Sequence, residues 1–273
     1  MPYITTPDGT EIYYTELGEG RPVIFSHGWP LNSDAWQKEL KIFADAGYRA
    51  IAHDRRGHGR SSRTYRGNDM DTYVADLASL VEQLDLQDVL LVGHSTGGGE
   101  VVRYAATLGA GRVSKVATAG AVPPIMVQSA TNPEGTPLEV FDGIRAGVLN
   151  DRSQFYKDLA ETFFGFNHQA DKRSQGLVDD FQRQGMMAGL NAAYDCVKVF
   201  SETDFTKDLQ ALDVPIFLAH GDDDQIVPIA AAAEKAITLV SQGTLKVYTG
   251  ASHGIWGDYQ VALDDDILAF FAE

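Results

Sequence analysis

The chain has 273 residues, 44% of them hydrophobic and 22% charged, which suits one α/β domain of ordinary size with a substantial core and argues against disorder. Its 38 acidic and 22 basic residues leave a formal charge of −16, a surface that repels nucleic acid and anionic membranes. The single cysteine, Cys196, excludes an intrachain disulfide, the N-terminus carries neither a basic nor an apolar leader, and no apolar run is long enough to span a bilayer, so a cytoplasmic protein is expected.

Residues 3–5 and 10–17, joined by Pro7-Asp8-Gly9, predict an antiparallel hairpin. Residues 21–26 predict an apolar strand ending at His27-Gly28-Trp29-Pro30, and ligands of open parallel sheets bind beyond such carboxyl ends. Pro30 biases Trp29 towards extended geometry. Residues 34–45 predict an amphipathic helix with Trp36, Leu40 and Phe43 on one face, followed by a strand over 49–53. The polar, basic, glycine-rich stretch 54–62 reads as a structural loop held by local hydrogen bonds and an Asp54–arginine contact. Val74, Leu77, Leu80, Val81 and Leu84 give helical spacing over 72–84, and residues 88–92 predict a buried strand.

That strand runs into Gly93-His94-Ser95-Thr96-Gly97, a G-x-S-x-G pattern. A serine at a sharp strand-to-helix turn sits in strained backbone, and neighbours without Cβ let strand and helix pack closely. Val101, Val102, Ala105 and Leu108 predict a helix over about 97–108, whose free N–H groups and positive dipole end favour an oxyanion beside Ser95. A glycine-rich turn that contains serine by chance is the alternative; the flanking strand and helix patterns favour the nucleophile.

After a strand over 113–119 the alternation of strand and helix stops. Residues 124–213 carry helical patterns at 138–149, 153–164 and 190–200 and no convincing strand, which predicts a helical cap inserted after the sixth strand, with the core formed by 1–123 and 214–273. Most of the cap aromatics, Phe141, Phe155, Tyr156, Phe163, Phe164 and Phe166, are expected to form its own core, with others free to line an acyl or aryl pocket. A strand over 214–221, the acidic turn Asp222-Asp223-Asp224, a helix over 230–240, a strand over 244–248, the loop 250–254 and a helix over 258–271 complete the chain.

A serine nucleophile needs a base within hydrogen-bond reach and a carboxylate to hold it in the working tautomer. The seven histidines stand at 27, 53, 58, 94, 168, 220 and 253, and only His253 follows the acidic turn. His94 and His220 read as structural. On residues alone any of the three aspartates could be the acid.

Ser26-His27-Gly28-Trp29-Pro30, Asp54-Arg55-Arg56-Gly57-His58-Gly59-Arg60-Ser61, Gly93 to Glu100, His220-Gly221-Asp222-Asp223-Asp224-Gln225-Ile226-Val227-Pro228 and Ser252-His253-Gly254 together resemble the α/β-hydrolase superfamily over essentially the whole chain. Within it, the chain looks like the cofactor-free haloperoxidase (perhydrolase) and aryl esterase branch. The resemblance implies an α/β-hydrolase fold with an eight-stranded, mostly parallel sheet flanked by helices, and the chain order serine, acid, histidine. Its G-x-x-D-x-x-x-P pattern puts the acid at Asp224, giving a triad of Ser95, Asp224 and His253. It implies oxyanion donors at the Trp29 and Thr96 N–H groups and substrate contacts at Pro30, Val122 and Ile226.

The implied activity is cleavage of short aryl or alkyl carboxylic esters through a Ser95 acyl-enzyme. Hydrogen peroxide in place of water would give peracids and hence haloperoxidase activity without haem, vanadium or any other metal or cofactor. The expected partners are a small ester and hydrogen peroxide, with no nucleic acid or membrane; homo-oligomers are familiar in the family. A γ-lactamase or amidase with the same triad, or a hydrolase-fold receptor with little turnover, are the alternatives.

Overall fold

A computed structural model describes residues 2–273. Eight strands, β1 (Tyr3–Thr5), β2 (Glu11–Leu17), β3 (Arg21–Ser26), β4 (Tyr48–His53), β5 (Val89–His94), β6 (Val113–Ala119), β7 (Ile216–Gly221) and β8 (Gly243–Tyr248), form one sheet. Their order is β1-β2-β4-β3-β5-β6-β7-β8. The opening hairpin joins antiparallel, and β3 to β8 run parallel, as the sequence implies. Strands β3, β5 and β7 are continuous apolar runs because helices cover both faces of the sheet, whereas β8, at the edge, is largely exposed.

The helices are α1 (Gln37–Asp45), α2 (Met70–Gln83), α3 (Thr96–Ala106), α4 (Leu138–Asn150), α5 (Arg152–Phe163), α6 (Gln175–Met187), α7 (Leu190–Glu202), α8 (Thr206–Ala211), α9 (Ala233–Ala236) and α10 (Asp258–Ala272). On one face, Leu40 and Phe43 of α1 and Ile267 and Phe271 of α10 bury Val23, Phe25, Val92 and Phe217. On the other, α2 and α3 cover Ile24 and Leu91, and this apolar cluster continues without a break into α4 to α7. Helices α4 to α8 follow one another between β6 and β7 with no strand of the sheet among them. Among the described residues no helix is long and apolar enough to cross a membrane.

Two expected helices differ. Residues 34–45 begin as a tight 3-10 turn, Ser33–Trp36, because the Asn32 side chain accepts the Asp34 N–H at 2.9 Å and caps it there. Residues 230–240 hold only a 3-10 turn, Ile229–Ala231, and the short α9. The N–H groups of Thr238 and Leu239 bond three residues back, and the Thr238 hydroxyl takes the Lys235 carbonyl, so the helical ladder stops. Leu108, expected on the helix after the elbow, lies beyond the end of α3 and is exposed.

Where α1 and α10 face each other, the core contains two carboxyls, Glu39 and Asp264, 3% and 4% exposed. Gln260 donates to Glu39, and the Lys38 Nζ stands 3.5 Å from Asp264. Burial, with the Asp264 charge adding to it, pushes the Glu39 carboxyl up to about 7; burial pushes Asp264 up to about 6. A raised native value means that the folded chain holds protons the unfolded chain releases, so stability falls as pH rises from the ordinary carboxyl range through these values. Glu39→Gln is therefore expected to unfold at higher denaturant than the wild type at pH 8, by about 1–3 kcal/mol, with the gain fading towards pH 4. A difference that does not change with pH would contradict a buried, ionising Glu39.

Candidate active site

Ser95 lies between β5 and α3 with φ 54° and ψ −119°, in the left-handed half of backbone space that a residue with a Cβ seldom occupies. Close packing enforces the turn. A Cβ on Gly93 would collide with the Gly97 carbonyl, and one on Gly97 with the Ser26 carbonyl, so strand and helix meet only because both positions are glycine. The Ser95 N–H donates to the Ala119 carbonyl at 3.1 Å, and its own carbonyl accepts from Gly98 and Val122 at 3.0 and 3.3 Å. The serine is thus held from β6 and from the first turn of α3.

The three aspartates of the acidic turn go to three different partners. Asp222 accepts the Gly250 N–H at 2.6 Å, Asp223 pairs with half-exposed His168 at 2.9 Å, and Asp224 Oδ2 accepts His253 Nδ1–H at 2.8 Å. Asp224 Oδ1 takes the N–H groups of Ile226 and Val227, and His220 Nε2, which donates to the Val227 carbonyl at 2.9 Å, stands 3.2 Å from Oδ2. Burial alone would raise the Asp224 carboxyl, but His253 and His220 outweigh it and hold the group well below the ordinary carboxylate range. It is a fixed anion.

With Nδ1 committed to Asp224, the His253 Nε2 is buried and meets no hydrogen-bond partner. The ring is wedged edge-on against Phe163 of α5, centroids 4.9 Å apart, and against His94 at 4.8 Å. His94 Nε2–H donates to the His253 carbonyl at 3.0 Å; burial, then His253, lowers its pKa to about 3, so it works as a neutral strut. Gly120, at φ +50°, runs past the pair, and a Cβ there would come within 3.2 Å of both Asp224 Oδ2 and His253 Nδ1. His94 is structural, as its place in the sequence implies, whereas nothing in the sequence marks Gly120 or the contact of Phe163 with His253.

The loop after β3 lies directly against the serine: a Cβ on Gly28 would reach Ser95 Cβ at 3.0 Å. Neither the Trp29 nor the Thr96 N–H donates to a backbone carbonyl among the described residues. The Trp29 indole is buried between Tyr156 and Phe200 and donates to the Ala193 carbonyl at 2.9 Å, so its side chain anchors the loop to the inserted helices. Pro30 follows through a cis peptide and is buried near Gly185 of α6. Val122 is buried and Ile226 half-buried, and their backbone N–H groups hold Ser95 and Asp224 respectively. Of the six aromatics singled out in the insertion, Phe141, Tyr156, Phe163 and Phe166 are buried in the shared core.

A fully buried ion pair fixes these loops. Glu100 Oε2, on the second turn of α3, accepts from Arg55 Nε and Nη2 at 2.9 and 2.6 Å and from Ser26 Oγ at 2.6 Å, and His53 Nε2 is 3.1 Å from its other oxygen. Arg55 Nη2 also donates to the His27 carbonyl at 2.8 Å. The rest of loop 54–62 is held as expected, with Asp54 accepting the N–H groups of Ser33 and Arg60 at 2.7 and 2.6 Å. Burial would raise Glu100, but Arg55 and then His53 win and bring it down to about 2. Glu100→Gln leaves Arg55 charged and buried, and is expected to cost about 3–5 kcal/mol in denaturant unfolding at pH 7. Arg55→Met with Glu100→Met should cost less than that single change. Since the Glu100 value is depressed, the gap between wild type and Glu100→Gln should shrink as pH falls from about 4.5 towards 2.

Comparison with known proteins agrees with this architecture. A family model described as alpha/beta hydrolase fold matches residues 21–256. The chain is 56% identical over 271 residues to a non-heme haloperoxidase of Rhodococcus erythropolis, covering 99% of both chains. It is 46% identical over 273 residues to a bifunctional esterase/perhydrolase of Acinetobacter calcoaceticus, again over 99% of both. Among solved structures, a bromoperoxidase from Bacillus anthracis superposes with a TM-score of 0.94 at 35% identity over the full length of each chain. Sequence likeness of this extent, on a strand order and turn that the residues themselves require, means that the chain belongs to the α/β hydrolase fold family, in its non-heme haloperoxidase branch.

Proposed function

We propose that the protein is a serine hydrolase of short aryl or alkyl carboxylic esters whose acyl-enzyme is resolved by water or by hydrogen peroxide. One observation carries the reading: His253 Nδ1–H is held by an anionic Asp224, which fixes the tautomer whose free Nε2 can take a proton. In this reading Ser95 Oγ attacks the ester carbonyl as His253 Nε2 takes its proton. The Trp29 and Thr96 N–H groups, with the N-terminal end of α3, stabilise the oxyanion. The tetrahedral intermediate collapses, the alcohol leaves with the proton from His253, and Ser95 is left acylated. Residues 124–213 act as the cap over the site, and Pro30, Val122 and Ile226 contact the substrate.

His253 then deprotonates the second nucleophile. Water releases the carboxylic acid. Hydrogen peroxide releases the peracid, which with halide and a proton returns the carboxylic acid and hypohalous acid, so halide oxidation takes place outside the chain's own chemistry. The names borne by the Rhodococcus and Acinetobacter relatives support both outcomes.

Ser95→Ala and His253→Ala are expected to remain folded and to lose turnover of nitrophenyl esters; a folded Ser95→Ala protein with wild-type turnover overturns the nucleophile. Among Asp222→Asn, Asp223→Asn and Asp224→Asn, the last should lose most, on the scale of the ~10⁴-fold loss known for the equivalent change in a serine protease triad. A larger loss at either neighbour reassigns the acid.

Pro30 is proposed to set how the acyl-enzyme divides between its two nucleophiles. Proline has no N–H to compete at the pocket mouth, leaving the Trp29 carbonyl to accept from the distal O–H of hydrogen peroxide, a contact water is too short to duplicate. One hydrogen bond made for a single nucleophile contributes about 0.5–1.5 kcal/mol, or roughly two- to twelve-fold in partition. Pro30→Leu should lower the ratio of peracid to acid by about that factor at fixed peroxide, with acylation little changed. An unchanged ratio makes Pro30 a turn residue only.

A further inference from the structure

Beside the elbow lies a cavity of about 190 Å³ that His94 lines but neither Ser95 nor His253 does. Its floor is Phe25 and Val92 of the sheet, its roof Phe163 and Phe181 of α5 and α6, and its sides are Glu39 of α1 and Asp264 of α10. His94, the residue before the serine, and Gly254, the residue after the candidate base, separate it from the catalytic pair. An apolar protein cavity of about 150 Å³ takes up benzene, so this one has room for a single ring with a short chain.

Its polar groups are not those of a closed core. Glu39 Oε2 and Trp36 Nε1, both from residues that line the cavity, are buried and without a hydrogen-bond partner, and Asp264 Oδ2 is paired at 3.5 Å with the Lys38 Nζ. Natural interiors rarely leave such atoms unsatisfied, because each costs the full desolvation of the group. The other charges of the lining are already matched. Asp34 is held by Arg60 and Arg183, and Asp180 by Arg183. Gln184 donates to Asp180 and Gln260 to Glu39. Only the half-exposed Lys38, 3.5 Å from Asp264, stands opposite the two remaining carboxyls. The cavity therefore offers aromatic walls and a surplus of buried acceptors. Those walls suit an organic cation better than a metal ion, and among the described residues no cluster of three or more potential metal ligands exists.

We propose that this cavity is a binding site for a small aryl-alkylammonium ligand, with the ammonium between Glu39 and Asp264 and the ring among Phe25, Phe163 and Phe181. Two of the ammonium's three N–H donors would satisfy Glu39 Oε2 and Asp264 Oδ2, and the ring would fill a space of matching shape and polarity. Through His94 and Gly254, the ligand would rest on the segments that carry the serine and the candidate base.

The test is calorimetric titration of the full chain at pH 8, where both carboxyls are ionised, with 2-phenylethylammonium, 3-phenylpropanol and 3-phenylpropanoate, which share a ring and a chain of similar length but differ in charge. The expected result is saturable 1:1 binding of the ammonium at least about tenfold tighter than the neutral alcohol, with the carboxylate weaker still. In Glu39→Gln with Asp264→Asn, the ammonium and the alcohol should bind alike. The discrimination among the three compounds is read on the wild type, so it tests the site even if the double variant folds poorly. Absence of saturable ammonium binding overturns the proposal, as does a preference that survives intact in the double variant, which would place the cation elsewhere. Neither outcome touches the esterase reading, which Ser95→Ala tests alone.

Discussion

The arrangement rests on one charge pair, Arg55 with Glu100, sealed from solvent at the carboxyl ends of β3 and β4. Buried ion pairs are poor sources of net stability, because desolvation of both partners offsets most of the attraction. Their strength is geometric: a guanidinium and a carboxylate that must satisfy one another tolerate little displacement. Here the pair reaches Ser26 and His27 at the end of β3, His53 at the end of β4, and the helix that follows Ser95. The loop carrying Trp29 and the turn carrying Ser95 are thereby locked to a common frame. A site that depends on positions good to about 0.5 Å needs such a frame beneath it.

The other half of the site is built differently. Asp224 and His253 come from the loops after β7 and β8, where β8 is an exposed edge strand, so local sheet packing alone would leave them loose. Backbone N–H groups clamp the aspartate, and His94 and Phe163 clamp the histidine. Phe163 belongs to the inserted helices, as does the Ala193 carbonyl that holds the Trp29 indole. The helices between β6 and β7 therefore touch the site twice: one contact steadies the candidate base and another steadies the loop of a candidate oxyanion donor.

Much of this was legible in the chain. The central strands are apolar runs between turn residues, a pattern that follows directly from burial on both faces, and the glycines around Ser95 mark a turn that no other residue permits. His253 was singled out by chain order. The acid was not legible from residues alone, because Asp222, Asp223 and Asp224 are chemically alike and differ only in partners distant in sequence: Gly250, His168 and His253. The helix expected over 230–240 had the right apolar spacing, but spacing cannot show that a threonine hydroxyl will take a carbonyl from the ladder. The pairing of Arg55 with Glu100 is hidden for a similar reason: one stands in a polar loop and the other in a helix, where charge ordinarily faces water. The available sign was that α3 has almost no polar face for Glu100 to occupy.

The spread of the site along the chain bears on its synthesis. Ribosomes deliver the protein from its N-terminus, and domains organise as their segments emerge. The turn at Ser95, the loop at Trp29 and the Arg55–Glu100 frame lie close together in the chain, whereas His253 stands 159 positions after His94. The Ser95 turn is itself complete only once Ala119 and Val122 have been added, since they hold its N–H and its carbonyl. Because His253 docks on His94 across that separation, their contact carries a loop-closure cost that the local contacts around Ser95 do not.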